Sequence, residues 1–281
     1  MNNQLDEIPG LAERIYRGMS SVIAWAVYAF LFGPTIIVML VSFSGAKGLS
    51  FPPSEFSLQL YRIFFNSPQW TGTLVQSAIV AILSATLAVS IGTLAAYALS
   101  RAHFVGRDIL KAILLAPILI PSVVTALGLY LYFSWLHLSG TTAGLVLAHS
   151  MYVTPFVIIT VSAGLQQINP NLEAAATVMG AGTATILHRL VLPLLAPSIL
   201  AGALFAFLMS FDEVIIAWFL VGPSTKTLPV QMFSSIQWEI SPILAAVSTL
   251  LSLLSLLICL AALAFRNAGG LTVLSKSSGT D

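Results

Sequence analysis

The sequence predicts an all-α integral membrane protein with six transmembrane helices, a cytoplasmic helical hairpin between the fourth and fifth, and both termini in the cytoplasm. Hydrophobic residues make up 58% of the 281 residues and charged residues only 7%, against roughly 25% charged residues in soluble domains. The apolar residues also cluster in runs of about 20, the length that a helix needs to cross a hydrocarbon core of ~30 Å. The composition therefore places the chain in a lipid bilayer.

Six apolar runs give the predicted spans, each bounded by polar or turn-forming residues. They cover residues 21–43, 73–99, 109–136, 143–165, 190–209 and 242–265. The fifth either ends at Met209 or bends and continues, because apolar residues resume at 214–221 after Asp212 and Glu213. Prolines inside the third, fourth and fifth spans predict bends, since proline frees a backbone carbonyl: Pro117, Pro121, Pro155, Pro193 and Pro197.

The positive charges set the orientation, because Lys and Arg accumulate in short cytoplasmic loops. With the amino terminus inside, eight of these residues lie in the cytoplasm and three outside. The eight are Arg14, Arg17, Arg101, Arg107, Lys111, Arg189, Arg266 and Lys276; the three are Lys47, Arg62 and Lys226.

The predicted organisation is a cytoplasmic tail at 1–20, a transmembrane domain at 21–265 and a second cytoplasmic tail at 266–281. The first span is interpreted as uncleaved, because its apolar run of about 22 residues exceeds the roughly 7–15 of a signal peptide. The lipid bilayer is the expected environment, and no nucleic-acid partner is expected.

The chain lacks the motifs of an energy-converting or catalytic site. It has no G-x-x-x-x-G-K-[ST] loop for nucleotide phosphates and no H-E-x-x-H or paired-histidine metal spacing. Its single cysteine, Cys259, falls in the sixth span and permits no intrachain disulfide. We therefore expect no catalytic residue, metal site or bound cofactor in this chain, and we expect any energy to come from a partner.

The segment from Asn169 to Pro193 is predicted to form the hairpin. Asn169 can cap a first helix that has Pro170 at its first position, and Gly180 can end that helix in the left-handed conformation. Thr183 or Thr185 can cap a second helix. The first helix carries an apolar stripe at i, i+3, i+4 and i+7, smooth enough for a partner's groove: Leu172, Ala175, Ala176 and Met179.

The hairpin sequence resembles the cytoplasmic signature of permease subunits of binding-protein-dependent ABC importers. That signature reads E-A-A, three residues, G, nine residues, I, one residue and L-P. Gly180, Leu192 and Pro193 keep its spacing, and Leu190 takes the isoleucine place. Counting back from Gly180 puts alanines at 174–176, with Glu173 one position early. The usual docking contact of the glutamate is therefore either supplied by Glu173 from the neighbouring position or lost.

Two further regions are similar to the same permeases. Residues 95–101 (AAYALSR) and 104–107 (FVGR) resemble the end of a conserved span and its cytoplasmic turn. Residues 210–216 (SFDEVII), 222–223 (GP) and 227–233 (TLPVQMF) resemble the spermidine and putrescine branch. The resemblance covers roughly residues 73–265.

This resemblance implies an inner-membrane importer with a second permease, two cytoplasmic ATPases that use ATP and Mg, and an extracytoplasmic solute-binding protein. The hairpin would sit in a groove of one ATPase and couple ATP-driven closure to movement of the helices. The residues expected to serve this coupling are Leu172, Glu173, Ala175, Ala176, Met179, Gly180, Leu192 and Pro193.

The adjacent acids Asp212 and Glu213 are candidates for a substrate path. A carboxylate is costly at a membrane boundary, and a cationic substrate would be attracted to it. Tyr152 and Trp218 could add cation–π contacts, and Gln76 could line the path. The alternatives are that the acids cap the following helix, that Trp218 anchors at the interface, and that Gln76 and Tyr152 only bond between helices.

The function predicted from these features is a polyamine permease of an ABC importer. The alternatives are a permease for another small organic solute, such as an amino-acid derivative, and a stand-alone channel or secondary transporter. A channel would leave the hairpin unexplained. A membrane enzyme lacks a nucleophile or metal constellation.

Overall fold

The structure, a computed structural model, describes residues 11–45, 51–53, 55–238 and 241–277. Their regular structure is helical, apart from one isolated bridge between Ser44 and Phe56. The helices are α1 Leu11–Val41, α2 Gln59–Asn66, α3 Pro68–Arg101, α4 Arg107–Leu119, α5 Ser122–Trp135, α6 Thr142–Gln167, α7 Pro170–Val178, α8 Thr183–Ile186, α9 Leu192–Phe211, α10 Ile215–Leu220, α11 Leu228–Trp238 and α12 Ile243–Ser277. The all-α prediction is confirmed; the parts of the predicted tails at 1–10 and 278–281 lie outside the described residues.

Five helical segments are long and apolar enough to cross a membrane: Met19–Val41, Pro68–Arg101, Thr142–Gln167, Thr183–Phe211 and Ile243–Leu260. They correspond to the first, second, fourth, fifth and sixth predicted spans. The apolar window of α1 has no buried residue, and Phe30 is 80% exposed. Such a helix requires lipid or another chain around it.

The bend that the prolines predict in the third span is sharp enough to divide it into two helices. Helices α4 and α5 replace it, and they meet at an angle of 108°. Ile120 is extended (φ −88°, ψ 129°) and Pro121 precedes the first residue of α5. A residue before proline is driven out of the helical region by the proline ring, so the helix stops there. The pair counts as a sixth span only if both helices together cross the membrane.

The second hairpin helix and the fifth span are one continuous helix, not two elements. Helix α8 runs through a five-residue π-helical turn at Leu187–Val191 into α9. The amide of Leu192 bonds to the carbonyl of Leu187, five residues back. Pro193 follows directly and cannot donate to a carbonyl four residues back. The wider turn accommodates the proline without breaking the helix.

The chain divides into two compact units, Met1–Asn66 with Ser241–Ser252, and Ser67–Ile240 with Leu253–Asp281. In the first unit, α2 buries Leu60 and Phe64 and exposes Arg62. The hydroxyls of Ser42 and Tyr61 lie 2.6 Å apart. This bond holds α2 beside the C-terminal end of α1.

The core of the second unit is formed by α3, α6 and α9, which all pack on one another. Small residues allow the close approach. A Cβ added to Gly164 on α6 would lie 2.6 Å from the Cβ of Ser198 on α9, and one added to Gly92 on α3 would lie 2.9 Å from the Cβ of Val157 on α6. Backbone proximity of this kind is what stabilises helix packing in lipid.

We expect Gly164→Ala to destabilise the protein, because the new methyl group collides with Ser198. Overpacking of this kind costs about 1–3 kcal/mol, and the measurement is the thermal unfolding midpoint of purified protein in detergent. Gly128→Ala is the matched control, since a Cβ there meets nothing within 4 Å. Equal midpoints for the two variants would contradict the close packing of α6 on α9.

Candidate functional site

The first hairpin helix, α7, has the ends that the sequence predicts. Asn169 is its N-cap, and its side chain accepts a hydrogen bond of 3.0 Å from the amide of Asn171. At the other end Gly180 adopts φ +87°. The amides of Gly180 and Ala181 bond to the carbonyls of Thr177 and Ala176, which is the Schellman arrangement.

The predicted threonine cap of the second hairpin helix is wrong. Gly182 is the N-cap, and no side chain makes a capping bond there. Thr183 is already the first helical residue, and Thr185 lies within the helix. Only Ala181 and Gly182 separate Gly180 from α8, so no threonine lies in the capping position before the helix.

The predicted apolar stripe of α7 is divided between two faces. Glu173 and Ala176 are partly buried, and Ala176 packs against the α3–α6–α9 core. Leu172 and Ala175 are exposed, as is Met179. Val178, which the stripe did not include, is 89% exposed. The surface available to a partner is therefore centred away from Ala176.

The inward face of α7 is held by a polar cluster. The Nε of Arg101, the last residue of α3, lies 2.8 Å from Oε1 of Glu173, and the Tyr97 hydroxyl donates to Oε2 of Glu173 at 3.1 Å. The Nη2 of Arg101 also donates to the carbonyls of Leu165 and Ile168, at 3.3 Å each. The ion-paired side chains are only 22% and 14% exposed. Removing one partner of a mostly buried pair costs about 3–5 kcal/mol.

Tyr97 and Arg101 belong to the site although the sequence does not predict it; both lie in the AAYALSR motif at residues 95–101. The two contacts to Glu173 span 76 and 72 residues. The available signal was a basic residue at the cytoplasmic end of one span and an acid in the loop after another.

Leu192 and Pro193 lie at the start of α9, directly after the π-helical turn. Leu192 is partly buried and Pro193 is exposed. The structure therefore separates them from α7, and their position marks where the continuous helix Thr183–Phe211 changes its pitch.

The acids Asp212 and Glu213 lie between the end of α9 and the start of α10. Oε1 of Glu213 accepts a 2.8 Å hydrogen bond from the amide of Ile216, so Glu213 caps α10. The side chain of Asp212 is less buried than that of Glu213, and its carboxylate has no hydrogen bond or ion pair with any described residue. Burial raises the pKa of both carboxyl groups, and the Ile215 and Ile216 amides oppose this shift at Glu213.

The other candidate path residues, Gln76, Tyr152 and Trp218, differ in the contacts that they make. Nε2 of Gln76 donates to Oγ1 of Thr142 at 2.9 Å, which is the interhelical bond of the alternative reading. Tyr152 stands within electrostatic range of Glu213. Trp218 is 38% exposed. Its ring makes an edge-to-face contact with the ring of Phe233, with 5.0 Å between the ring centroids. The structure thus brings Tyr152 near Glu213 and gives Gln76 an interhelical hydrogen bond.

The described residues contain no group of three His, Cys, Asp or Glu side chains that could hold a metal ion. The candidate residues fall into two groups, the contacts of α7 with α3 and α6 and the acids between α9 and α10.

Comparison with known proteins identifies the family to which the chain belongs. Residues 88–268 match the family described as "Binding-protein-dependent transport system inner membrane component". The chain belongs to this family. It is therefore a permease of an ABC importer in the inner membrane, and it works with a solute-binding protein. The importer interpretation is confirmed over the stand-alone channel and the secondary transporter.

Two relatives and one solved structure define the similarity. The permease is 32% identical over 237 residues to the spermidine/putrescine transport system permease protein PotC of Escherichia coli (strain K12), covering 84% of this chain and 89% of the relative. It is also 32% identical over 231 residues to the putrescine transport system permease protein PotI of the same organism, covering 80% and 82%. A bacterial ABC transporter for import of the acidic polysaccharide alginate shares the fold, with a TM-score of 0.69 at 16% identity over 96% of this chain and 99% of that one.

We expect Gly180→Ala to loosen α7, because an L-residue at φ +87° costs about 1–2 kcal/mol. Hydrogen–deuterium exchange of residues 169–182 measures this, and exchange should accelerate about tenfold. Gly182→Ala serves as the control, since its φ is −73° and a Cβ there is unobstructed. The same exchange rate in both variants would show that the left-handed turn does not hold the hairpin.

Proposed function

We propose that this permease forms, with a second permease, the translocation path for a polyamine, driven by two separate ATPases that use ATP and Mg. The relatives named as spermidine/putrescine and putrescine permeases support this substrate class, since each covers four-fifths or more of the chain. A related small organic cation would satisfy the same chemistry.

The observation that supports a cationic substrate is the unpaired carboxylate of Asp212. It follows directly on the span Thr183–Phe211, and no described residue neutralises it. An unpaired carboxylate at a membrane boundary is costly, and a passing ammonium group would compensate it. Tyr152, within electrostatic range of Glu213, and the exposed Trp218 on α10 offer aromatic faces that favour cations.

We propose that α7 is the coupling helix and inserts into a groove of one ATPase. Its exposed apolar side chains, Leu172, Val178 and Met179, have no covering element among the described residues. A second support is its short connection to two spans, α6 before it and Thr183–Phe211 after it. A displacement of α7 would therefore move both spans.

The proposed orientation puts α7 and both termini in the cytoplasm and residues 222–241 outside, as the charge asymmetry predicts. Single cysteines in a Cys259→Ala background test this, because Cys259 is itself exposed. We expect an impermeant maleimide to label Ser224→Cys in intact spheroplasts and to label Val178→Cys only after permeabilisation; both native residues are exposed. Labelling of position 178 in intact spheroplasts would reverse the topology.

We expect Asp212→Asn to lower uptake of labelled putrescine and spermidine about tenfold, the effect of losing one favourable charge contact at low dielectric. Glu213→Gln separates charge from capping, because its amide oxygen still accepts from Ile216. Glu55→Gln, an exposed acid in the first unit, is the control for loss of an outer charge.

Assembly of the complex is checked by co-purification in each case. Wild-type uptake by an assembled Asp212→Asn permease would remove Asp212 from the path. A wild-type importer that carries no polyamine, with a binding protein that holds an uncharged ligand, would contradict the substrate class and leave the importer assignment intact.

A further inference from the structure

The register of α7 separates Glu173 from the surface that faces outward. Successive residues of a helix are 100° apart, and the exposed side of α7 carries Asn171, Ala174, Ala175 and Val178. Glu173 is partly buried and points to Arg101 and Tyr97. The outward position beside it is Ala174, so the exposed surface of α7 has no charge.

The contacts of Glu173 join elements that the hairpin would have to move. Arg101 ends α3, and its Nη2 holds the carbonyls of Leu165 and Ile168 at the end of α6. Its Nε holds Glu173 on α7. One guanidinium therefore ties α7 to the ends of two spans that pack on each other.

We infer that Glu173 is a positioning residue that acts inward through Arg101, transmitting the displacement of α7 to α3 and α6, and that it does not contact the ATPase. The inference rests on the proposed coupling role of α7. The ATPase then meets an uncharged, mainly apolar surface centred on Val178. A groove lined with apolar side chains fits that surface, and no basic side chain in the groove is required.

The test compares Glu173→Gln, Arg101→Gln and the double variant in the complete importer reconstituted in proteoliposomes. Two quantities are measured: the ATPase retained on the purified permease and the solute moved per ATP hydrolysed. We expect each single variant to lower solute per ATP about tenfold, the factor for one charge-assisted hydrogen bond. The double variant should be no worse than either single, and ATPase retention should stay within about twofold of wild type.

Two further variants distinguish action of Glu173 through Arg101 from direct contact of Glu173 with the ATPase. Val178→Arg places a charge on the exposed surface and should abolish ATPase retention. Glu173→Ala with Ala174→Glu moves the acid to the outward position and should stay as poorly coupled as Glu173→Ala alone. Asp108→Asn, an exposed acid at the start of α4, is the control for loss of one negative charge.

Three results would overturn the inference. The first is loss of ATPase retention in Glu173→Ala that the added Ala174→Glu restores, which would make the acid a docking contact and leave the coupling role of α7 intact. The second is additive loss in the Arg101 and Glu173 double variant, or an unchanged solute-per-ATP ratio with reduced assembly. The third is full ATPase retention in Val178→Arg, which would refute the coupling role of α7 itself.

Discussion

The arrangement of the hairpin depends on one guanidinium group. The last carbonyls of a helix have no partner within it, and Arg101 supplies one for α6 while pairing with Glu173 of α7. A mostly buried cation is stable only when it is paired and its donors are used. Glu173 and the two carbonyls meet that requirement together. The orientation of α7 is consequently set by bonds within the permease.

The body to which α7 is attached holds together by close packing and interhelical hydrogen bonds. Lipid tails are as apolar as the helices, so burial of apolar surface gives little driving force between them. Gly164 and Gly92 allow α6 to approach α9 and α3. Ser84 donates to the carbonyl of Val146 at 3.0 Å, and Nδ1 of His149 lies 2.9 Å from Oγ of Ser210. A densely packed body of this kind can pass on a displacement without deforming.

The sequence predicts features with a local cause and misses those that depend on distant contacts. Asn169 and Gly180 set the ends of α7 through bonds to their own neighbours, so both were predictable. The stop at Pro121 was foreseen as a bend, but its angle of 108° depends on packing. The pairing of Arg101 with Glu173 could not be read from spacing, because it brings together segments 72 residues apart. The inward turn of Ala176 likewise depends on which side of α7 meets the core.

Two adjacent acids that look equivalent in the sequence have different roles because they belong to different helices. Asp212 is the C-cap of α9, and its amide bonds to the carbonyl of Leu208. Its backbone completes that helix and its carboxylate is left without a partner among the described residues. Glu213 precedes α10 and its longer side chain reaches the amide of Ile216. A helix cap and an attraction for cations therefore do not compete for one residue: Glu213 caps α10, and Asp212 carries the unpaired carboxyl group on which the proposed function rests.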